Sequence, residues 1–245
     1  MTKLLVNTAV FENDVKNGAS QLDMIKKITD LGIDGVEVRG EFFGDDRDQE
    51  LSDLKDLAQA QNWVLYFSIP EQLFVENKVN ENLISYLDLA TKYSIGSLKI
   101  SLGEINTLTD ELIAELKNIL KPYSVQLTIE NEQNDHGHMD HVLAINKEIQ
   151  QANLPIGYTF DAGNWYWIDE DPEKAMAKLS SYVTILHLKN IQNKGTVLLD
   201  KGATNWKNLI NAVTPDIPVA IEYPMTLDEL KSEFKLVQDA IEEHA

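Results

Sequence analysis

The sequence predicts an α/β protein folded as a single (β/α)8 TIM barrel that spans residues 1–245. Eight strand-like segments recur along the chain, and the centres of neighbouring segments lie 27 to 34 residues apart. Each interval is about the length of one strand and one helix. Helical patterns separate the strands, and the sequence contains nothing that resembles a linker or a second domain. An open, doubly wound sheet is the alternative, because eight repeating units do not prove that the sheet closes.

The strand segments are apolar and β-branched, and turn or helix signals separate them. Residues 125–132 illustrate the pattern, because Leu127, Thr128 and Ile129 form a strand and Pro122 closes the helix before it. In chain order the centres of the eight segments are Leu5, Glu37, Tyr66, Lys99, Ile129, Phe160, His187 and Ile221.

Apolar residues at helical spacing lie between these strands. Ser20 and Asp23 form a capping pair before the first helix, and Gly32 is its stop signal. Asp171-Pro172 predicts another helix start, and residues 226–229 form a capping box before the last helix. The apolar stripes are Leu22, Ile25 and Ile28; Leu83, Leu87 and Ala90; Leu112, Leu116 and Ile119; Val142, Ile145 and Ile149; Trp206, Leu209 and Ile210; and Leu230, Phe234, Val237 and Ile241.

Composition narrows the choice of partners and compartment. The formal net charge of −19 argues against a nucleic-acid partner, since proteins that bind nucleic acids usually cluster Lys and Arg. The sequence has no cysteine, which excludes disulfides and Cys-ligated zinc. Neither a signal peptide nor a membrane-length apolar span is present, so we expect a cytoplasmic protein without a membrane partner. The sequence is also compatible with a homo-oligomer.

Charged residues stand at the C-terminal ends of the predicted strands, although buried parallel strands are normally apolar. The C-terminal ends of barrel strands form the mouth, where catalytic groups gather. Three carboxylates and an imidazole that converged there would repel unless a divalent cation neutralised them, and mixed oxygen and nitrogen ligands suit Mn, Mg, Co or Zn. Purely structural ion pairs are the alternative for a pair such as Glu37 and Arg39. These end residues are Glu37, Arg39, Lys99, Glu130, Asp161, His187, Lys189 and Glu222.

These segments resemble the xylose isomerase-like barrel superfamily, in its branch of sugar phosphate isomerases and epimerases. Residues 35–39 (GVEVR) resemble the second strand of that family, and residues 160–165 (FDAGNW) resemble its sixth. Residues 187–190 (HLKN) resemble the seventh strand, and Ile221-Glu222 resembles the eighth. A glycine-then-tryptophan segment at residues 199–206 (LDKGATNW) resembles the entry to the seventh helix. The resemblance covers essentially the whole chain.

The resemblance implies one divalent metal ion and a small carbohydrate substrate. Glu130, Asp161, His187 and Glu222, here called the quartet, would bind the metal, and Glu130 and Glu222 would also be the acid and base. A cation that bridges a sugar carbonyl and its neighbouring hydroxyl acidifies the shared C–H and stabilises an enediolate. Return of the proton to the adjacent carbon isomerises the sugar, whereas return to the opposite face of the same carbon epimerises it.

Six further residues are predicted to contact the substrate. Asn164 stands where many epimerases of the superfamily carry histidine; asparagine binds a hydroxyl but carries no proton, so the substrate is expected to differ from free ketohexoses. Trp165, together with Tyr166 and Trp167, is expected to wall the sugar, and packing in the core is the alternative. Lys99 and Lys189 are expected to bind a carboxylate or phosphate, or to offset the acidic mouth. The six residues are Glu37, Arg39, Lys99, Asn164, Trp165 and Lys189.

Three other functions are compatible with the same residues. A dehydratase acting on a keto sugar, an inosose or a sugar acid needs the same metal and the same proton abstraction. An apurinic-site endonuclease ranks lower, because the chain has only five histidines and a charge of −19. A non-catalytic sugar-binding barrel ranks lower too, because binding alone does not require two carboxylates at one metal. His136, His138 and His141 follow the fifth strand, and metal binding and substrate contact are both considered for them.

Overall fold

The computed structural model describes residues 2–244 and contains a closed barrel of eight parallel strands. Pairing between residues 35–39 and residues 64–68 joins the two ends of the sheet. This closure confirms the predicted (β/α)8 barrel and excludes the open sheet. In chain order the strands are β1 Leu4–Asn7, β2 Gly35–Arg39, β3 Val64–Val75, β4 Lys78–Val79, β5 Ser97–Gly103, β6 Gln126–Glu130, β7 Ile156–Asp161, β8 Val183–Leu188, β9 Asn190–Gln192, β10 Gly195–Val197 and β11 Val219–Ile221.

Three of these strands are not part of the barrel wall. β4 pairs antiparallel with the end of β3, and β9 pairs antiparallel with β10 to form a hairpin directly after β8. The order around the barrel is therefore β1, β2, β3, β5, β6, β7, β8 and β11, with β11 returning to β1.

Helices cover the outside of the barrel, and the predicted caps are present at their ends. The hydroxyl of Ser20 accepts from the Asp23 amide, and Asp171 caps the helix that begins at Pro172. Within residues 2–244, no helix is long and apolar enough to cross a membrane. The α-helices are α1 Glu12–Lys16, α2 Gln21–Lys26, α3 Arg47–Gln61, α4 Leu83–Tyr93, α5 Asp110–Leu120, α6 Met139–Gln151, α7 Pro172–Leu179, α8 Trp206–Ala212 and α9 Leu227–His244.

Helix α3 fills the segment between β2 and β3, where the sequence pattern is weakest. Over its 15 residues the buried side chains are Glu50, Leu51, Leu54 and Ala58. The carboxylate of Glu50 is occupied, because it accepts a hydrogen bond from the Leu22 amide at the start of α2. With so few apolar residues on its inner face, α3 gives a weak helical periodicity.

The interior of the barrel changes from apolar to polar along its axis. Because side chains alternate along a strand, two residues that are two positions apart point to the same face, which here is the interior of the barrel. Asn7, His187 and Glu222 thus lie above Leu5, Ile185 and Ala220 in their respective strands. The polar mouth therefore rests on an apolar floor, which is formed by Leu5, Tyr66, Ile185 and Ala220.

Candidate active site

Four neighbouring strands bring the quartet together at the C-terminal mouth of the barrel. Glu130 ends β6, Asp161 ends β7, His187 is the last residue but one of β8, and Glu222 follows β11. These strands are adjacent in the sheet. One ligand atom from each residue lies within 4.8 Å of the others, and all four side chains are buried. The four residues singled out by the sequence are thus one cluster.

The carboxylate of Glu130 pairs with a lysine on the neighbouring strand. Lys99 on β5 places Nζ 2.8 Å from Glu130 Oε2, and the two side chains are only 6% and 8% exposed. Burial raises the pKa of Glu130, but Lys99 and His187 more than offset this effect, so the pKa lies below its usual value. Glu130 is therefore ionised at neutral pH.

Asp161 is held by backbone amides and by a second lysine. Its Oδ1 accepts from the amides of Gly163 at 2.7 Å and Asn164 at 2.9 Å, and its Oδ2 accepts from Lys189 Nζ at 2.8 Å. A Cβ at Gly163 would lie 2.5 Å from Cδ of Lys189, so glycine leaves room for this lysine. Burial raises the pKa of Asp161 to about 6, although Lys189 acts in the opposite direction.

Glu222 pairs with an arginine from β2. Arg39 Nη1 donates to Glu222 Oε1 at 2.5 Å, and the other side of the guanidinium binds Glu41. Burial raises the pKa of Glu222, but the opposite effect of Lys189, His187 and Lys99 is larger. The pKa of Glu222 therefore lies well below its usual value. Glu222 is therefore a second ionised carboxylate in the mouth.

Three basic side chains thus offset the carboxylates of the quartet one by one. Lys99 pairs with Glu130, Lys189 with Asp161, and Arg39 with Glu222. Each of these carboxylates has a basic partner from another segment of the barrel, so Lys99 and Lys189 do offset the acidic mouth. The sequence places these lysines at the mouth but does not show which carboxylate each one meets.

His187 is oriented from behind by Glu37. Its Nε2 lies 3.0 Å from Glu37 Oε2, and Glu37 Oε1 accepts from the side chain of Asn7 at 2.9 Å. Nδ1 consequently faces the quartet, 3.0 Å from Glu222 Oε2. Glu37 is fully buried and outside the residues that line the mouth cavities. Contrary to the prediction, Glu37 therefore does not reach the cavities where a substrate would bind. It orients His187 instead.

Asn131 organises the site, although its role is not apparent from the sequence. Its side chain is fully buried, its Nδ2 donates to the Asp161 carbonyl at 3.1 Å, and its Oδ1 accepts from the Asp161 amide at 2.9 Å. The same oxygen accepts from the hydroxyl of Tyr158 at 3.0 Å. Asn131 therefore ties the end of β6 to the end of β7. The one feature of the sequence that could have indicated this role is the position of Asn131, an amide side chain between Glu130 and Glu132.

Replacing Asn131 by alanine is expected to lower the free energy of unfolding by about 2–4 kcal/mol, because several buried polar groups lose their partner. Urea denaturation monitored by circular dichroism measures this change. Asn118→Ala is the matched control, since Asn118 is exposed on α5 and should leave stability almost unchanged. A loss from Asn131→Ala no larger than that of the control would show that Asn131 does not hold these strands together.

The predicted aromatic wall needs a correction within residues 164–168, which form a 3-10 helix after β7. Trp165 is fully buried and packs on Phe160 with ring centroids 5.6 Å apart, so it belongs to the core and does not reach the mouth. Trp167, two residues later, is 38% exposed and lines a cavity at the mouth. Asn164 does line the mouth, where its amide donates to the Asn131 carbonyl at 2.8 Å.

Three cavities that share lining residues open at the mouth. The first, of about 260 Å³, contains Glu130, Asp161 and Glu222. A second, of about 320 Å³, lies between Trp167 and Phe42. The third, of about 280 Å³, lies beside β3 and β5. A larger cavity of about 520 Å³ next to the β9–β10 hairpin contains no quartet residue, and we therefore place the site at the mouth.

The three histidines after β6 lie away from the quartet. His138 Nδ1 is 3.2 Å from the carboxylate of Glu170, and His136 lies in a 3-10 helix that precedes α6. Among the described residues, those that line the three mouth cavities do not include His136, His138 or His141. The geometry therefore gives these histidines no part in the quartet.

No protein-family model matches the sequence, and no curated protein matches it either. Solved structures do match over nearly the full chain. The D-tagatose 3-epimerase-like protein shares 15% identity with a TM-score of 0.74, covering 99% of this chain and 98% of that one. The probable 3-DHS dehydratase AsbF from Bacillus anthracis, involved in petrobactin synthesis, shares 16% identity with a TM-score of 0.73, covering 97% and 99%.

A third structure, the IolI protein with a bound zinc atom, shares 14% identity with a TM-score of 0.73 and covers 100% of this chain and 99% of that one. Likeness at such low identity establishes the fold and not the activity. Other similar structures are xylose isomerase domain proteins. The chain therefore has the xylose isomerase-like TIM-barrel fold.

Proposed function

We propose that the chain is a divalent-metal-dependent isomerase or epimerase of a sugar or sugar phosphate, which removes a proton next to a carbonyl group. The observation that carries the proposal is the buried quartet at the mouth, whose ligand atoms lie within 4.8 Å of one another. The similar structures support it, because they include an epimerase-like protein and a protein with bound zinc.

The donor atoms of the quartet fit a divalent cation. Glu130 Oε1 is buried and has no hydrogen-bond partner within residues 2–244, because the nearby His187 Nδ1 is bonded to Glu222. His187 is bonded through Nε2 to Glu37, which is the usual arrangement behind a metal-bound histidine. Glu130, Asp161, His187 and Glu222 would hold the ion. When bound, it would supply Lewis acidity that polarises the substrate carbonyl.

Glu130 and Glu222 are suited to move the proton. Both are ionised at neutral pH, since their pKa values lie below the usual value of a glutamate. They belong to the outer two of the four adjacent strands, and both line the same mouth cavity. One glutamate would remove the proton, and the other would return it to the neighbouring carbon or the opposite face.

The mouth also offers contacts that would hold and shield a sugar. Trp167 and Phe42 line the same cavity as Lys189 and Glu222, which places apolar surface beside the reacting groups. Asn164 would bind a hydroxyl, since it lines the cavity that contains Glu130. Together these side chains would orient the ring and exclude water from the carbon that exchanges its proton.

A dehydratase of a keto sugar, inosose or sugar acid is the second candidate. The similar AsbF structure, described as a probable 3-DHS dehydratase, favours it. The same carboxylates would remove the proton, and the two reactions would differ only in the loss of water afterwards.

Deuterium exchange separates these reactions. Ketohexoses, their phosphates and keto sugar acids are incubated with Mn²⁺-loaded protein in heavy water and followed by NMR and mass spectrometry. We expect deuterium at the carbon next to the carbonyl, without loss of water from the sugar. Chelation should stop the exchange, and added cation should restore it.

Loss of water from the substrate would favour the dehydratase. Product formation without deuterium uptake would contradict proton transfer by Glu130 and Glu222 and would point to a hydride shift. Exchange that survives complete removal of the metal, verified by elemental analysis, would contradict the role of the cation.

A further inference from the structure

One layer of side chains beside the quartet combines two cations with a hydroxyl. Ser68 on β3 is in register with Arg39 on β2 and with Lys99 on β5, so the three residues stand side by side on three adjacent strands. Ser101 follows two positions after Lys99 on the same strand. All four residues line the third mouth cavity, of about 280 Å³.

Several hydrogen-bond donors in this layer have no partner within the described chain. Arg39 uses three of its five N–H groups on Glu41 and Glu222, and Lys99 uses one of its three on Glu130. Within residues 2–244, neither the Ser68 nor the Ser101 hydroxyl donates or accepts a side-chain hydrogen bond. Two guanidinium N–H groups, two ammonium N–H groups and two hydroxyls therefore remain without a partner within residues 2–244, on four residues that line one cavity.

Apart from Glu130, whose Oε1 has no hydrogen-bond partner within residues 2–244, the acidic side chains around this cavity are already occupied. Glu71 accepts from the hydroxyl of Tyr86 at 2.6 Å and from the amide of Asn80 at 2.8 Å, and Glu41 is paired with Arg39. The remaining donors thus exceed the acceptors that the protein offers. An anion is the ligand that best uses buried cationic donors, because charge-assisted hydrogen bonds are stronger than neutral ones.

We propose that Arg39, Ser68, Lys99 and Ser101 form a subsite for the carboxylate of a keto sugar acid in which the carboxylate is bonded to the carbonyl carbon. This inference rests on the proposed function, because it places the reacting carbon of such a substrate at Glu130. Lys99 Nζ is 2.8 Å from Glu130 Oε2, so an anion on Lys99 lies within two hydrogen-bond lengths, about 6 Å, of that carboxylate. A phosphate at the far end of a hexose would be several carbon–carbon bonds too distant.

Isothermal titration calorimetry on Mn²⁺-loaded and chelated protein tests the subsite. The probes are 2-keto hexonates that cover the stereoisomers, the matching neutral ketohexoses and the ketohexose 6-phosphates. We expect a 2-keto hexonate to bind at least about tenfold more tightly than its neutral counterpart, and this preference should weaken with salt.

Ser68→Asp places a carboxylate between Arg39 and Lys99, where it would occupy the subsite. It is expected to abolish the preference for the hexonate over the neutral ketohexose. Ser232→Asp is the matched control, because it adds the same charge on the exposed face of α9 and should retain the preference. If Ser68→Asp does not fold, the double variant Ser68→Ala/Ser101→Ala should lower the preference without adding a charge.

Equal affinity for the hexonate and the neutral sugar would overturn the subsite. Tighter binding of the 6-phosphates than of the hexonates would overturn it too, since the anion would then lie far from the carbonyl. If neutral ketohexoses undergo deuterium exchange while the hexonates do not bind, only the subsite is wrong and the proposed function stands. Absence of exchange with every sugar, together with hexonate binding that Ser68→Asp abolishes, would support the subsite and reject the proposed reaction.

Discussion

Replacing Glu130 by glutamine is expected to lower the rate of deuterium exchange by about 10²–10⁴-fold, the usual contribution of a general base. Glutamine retains an oxygen for the cation and an acceptor for Lys99, but it cannot take a proton at neutral pH. Glu222→Gln should show a loss of similar size if the two carboxylates share the proton transfer. The rates are measured by NMR at saturating substrate, and circular dichroism verifies that the variants fold.

Glu132→Gln is the matched control. Glu132 stands two residues after Glu130 and is buried like it, but its carboxylate accepts from the Gly103 amide and the Gln72 side chain, both at 2.6 Å. It therefore ties β6 to β3 and β5, and its replacement should lower the rate by less than about tenfold. A loss at Glu132 as large as the loss at Glu130 would contradict the assignment of Glu130 as the base.

The fold and the quartet could be predicted from the sequence because both follow from local rules. Parallel strands at regular spacing share one direction, so a polar residue at the end of each strand has to lie at the same mouth. This rule brings Glu130, Asp161, His187 and Glu222 together without knowledge of the barrel diameter. Helix caps such as Ser20 and Asp171 were predictable for the same reason, since they depend on only a few neighbouring residues.

The pairing inside the mouth was not predictable, because it depends on how the strands are staggered. Arg39 and Glu222 are 183 positions apart in the chain and meet only after the sheet closes. Trp165 and Trp167 differ by two positions, and the 3-10 conformation of residues 164–168 buries the first and exposes the second. That backbone conformation cannot be read from the sequence, so the predicted aromatic wall did not separate the buried Trp165 from the exposed Trp167.

Replacing Lys99 by methionine is expected to lower the free energy of unfolding of the chelated protein by about 3–5 kcal/mol at pH 7, because it leaves the buried Glu130 carboxylate without its ammonium partner. Lys99 Nζ lies 2.8 Å from Glu130 Oε2, and both side chains are almost fully buried. Solvent therefore screens the attraction between the two charges only slightly. Removing both partners should be much less costly, and Lys99→Met/Glu130→Leu is expected to recover most of the loss. Urea denaturation of the two single variants and the double variant completes the cycle.

The pH dependence of this loss follows from the pKa of Glu130. Burial raises that pKa, but Lys99 and His187 bring it below its usual value, so the pair stabilises the fold above about pH 4.3 and this stabilisation fades as the pH falls through the lower, folded-state pKa. The difference between the wild type and Lys99→Met should therefore be largest near neutral pH and shrink in acid. Lys92→Met is the matched control, since Lys92 pairs with Asp48 at 2.9 Å on the exposed surface and should show no measurable loss. If Lys99→Met is as stable as this control at pH 7, the lysine does not neutralise Glu130, and the charge balance of the mouth has to come from elsewhere.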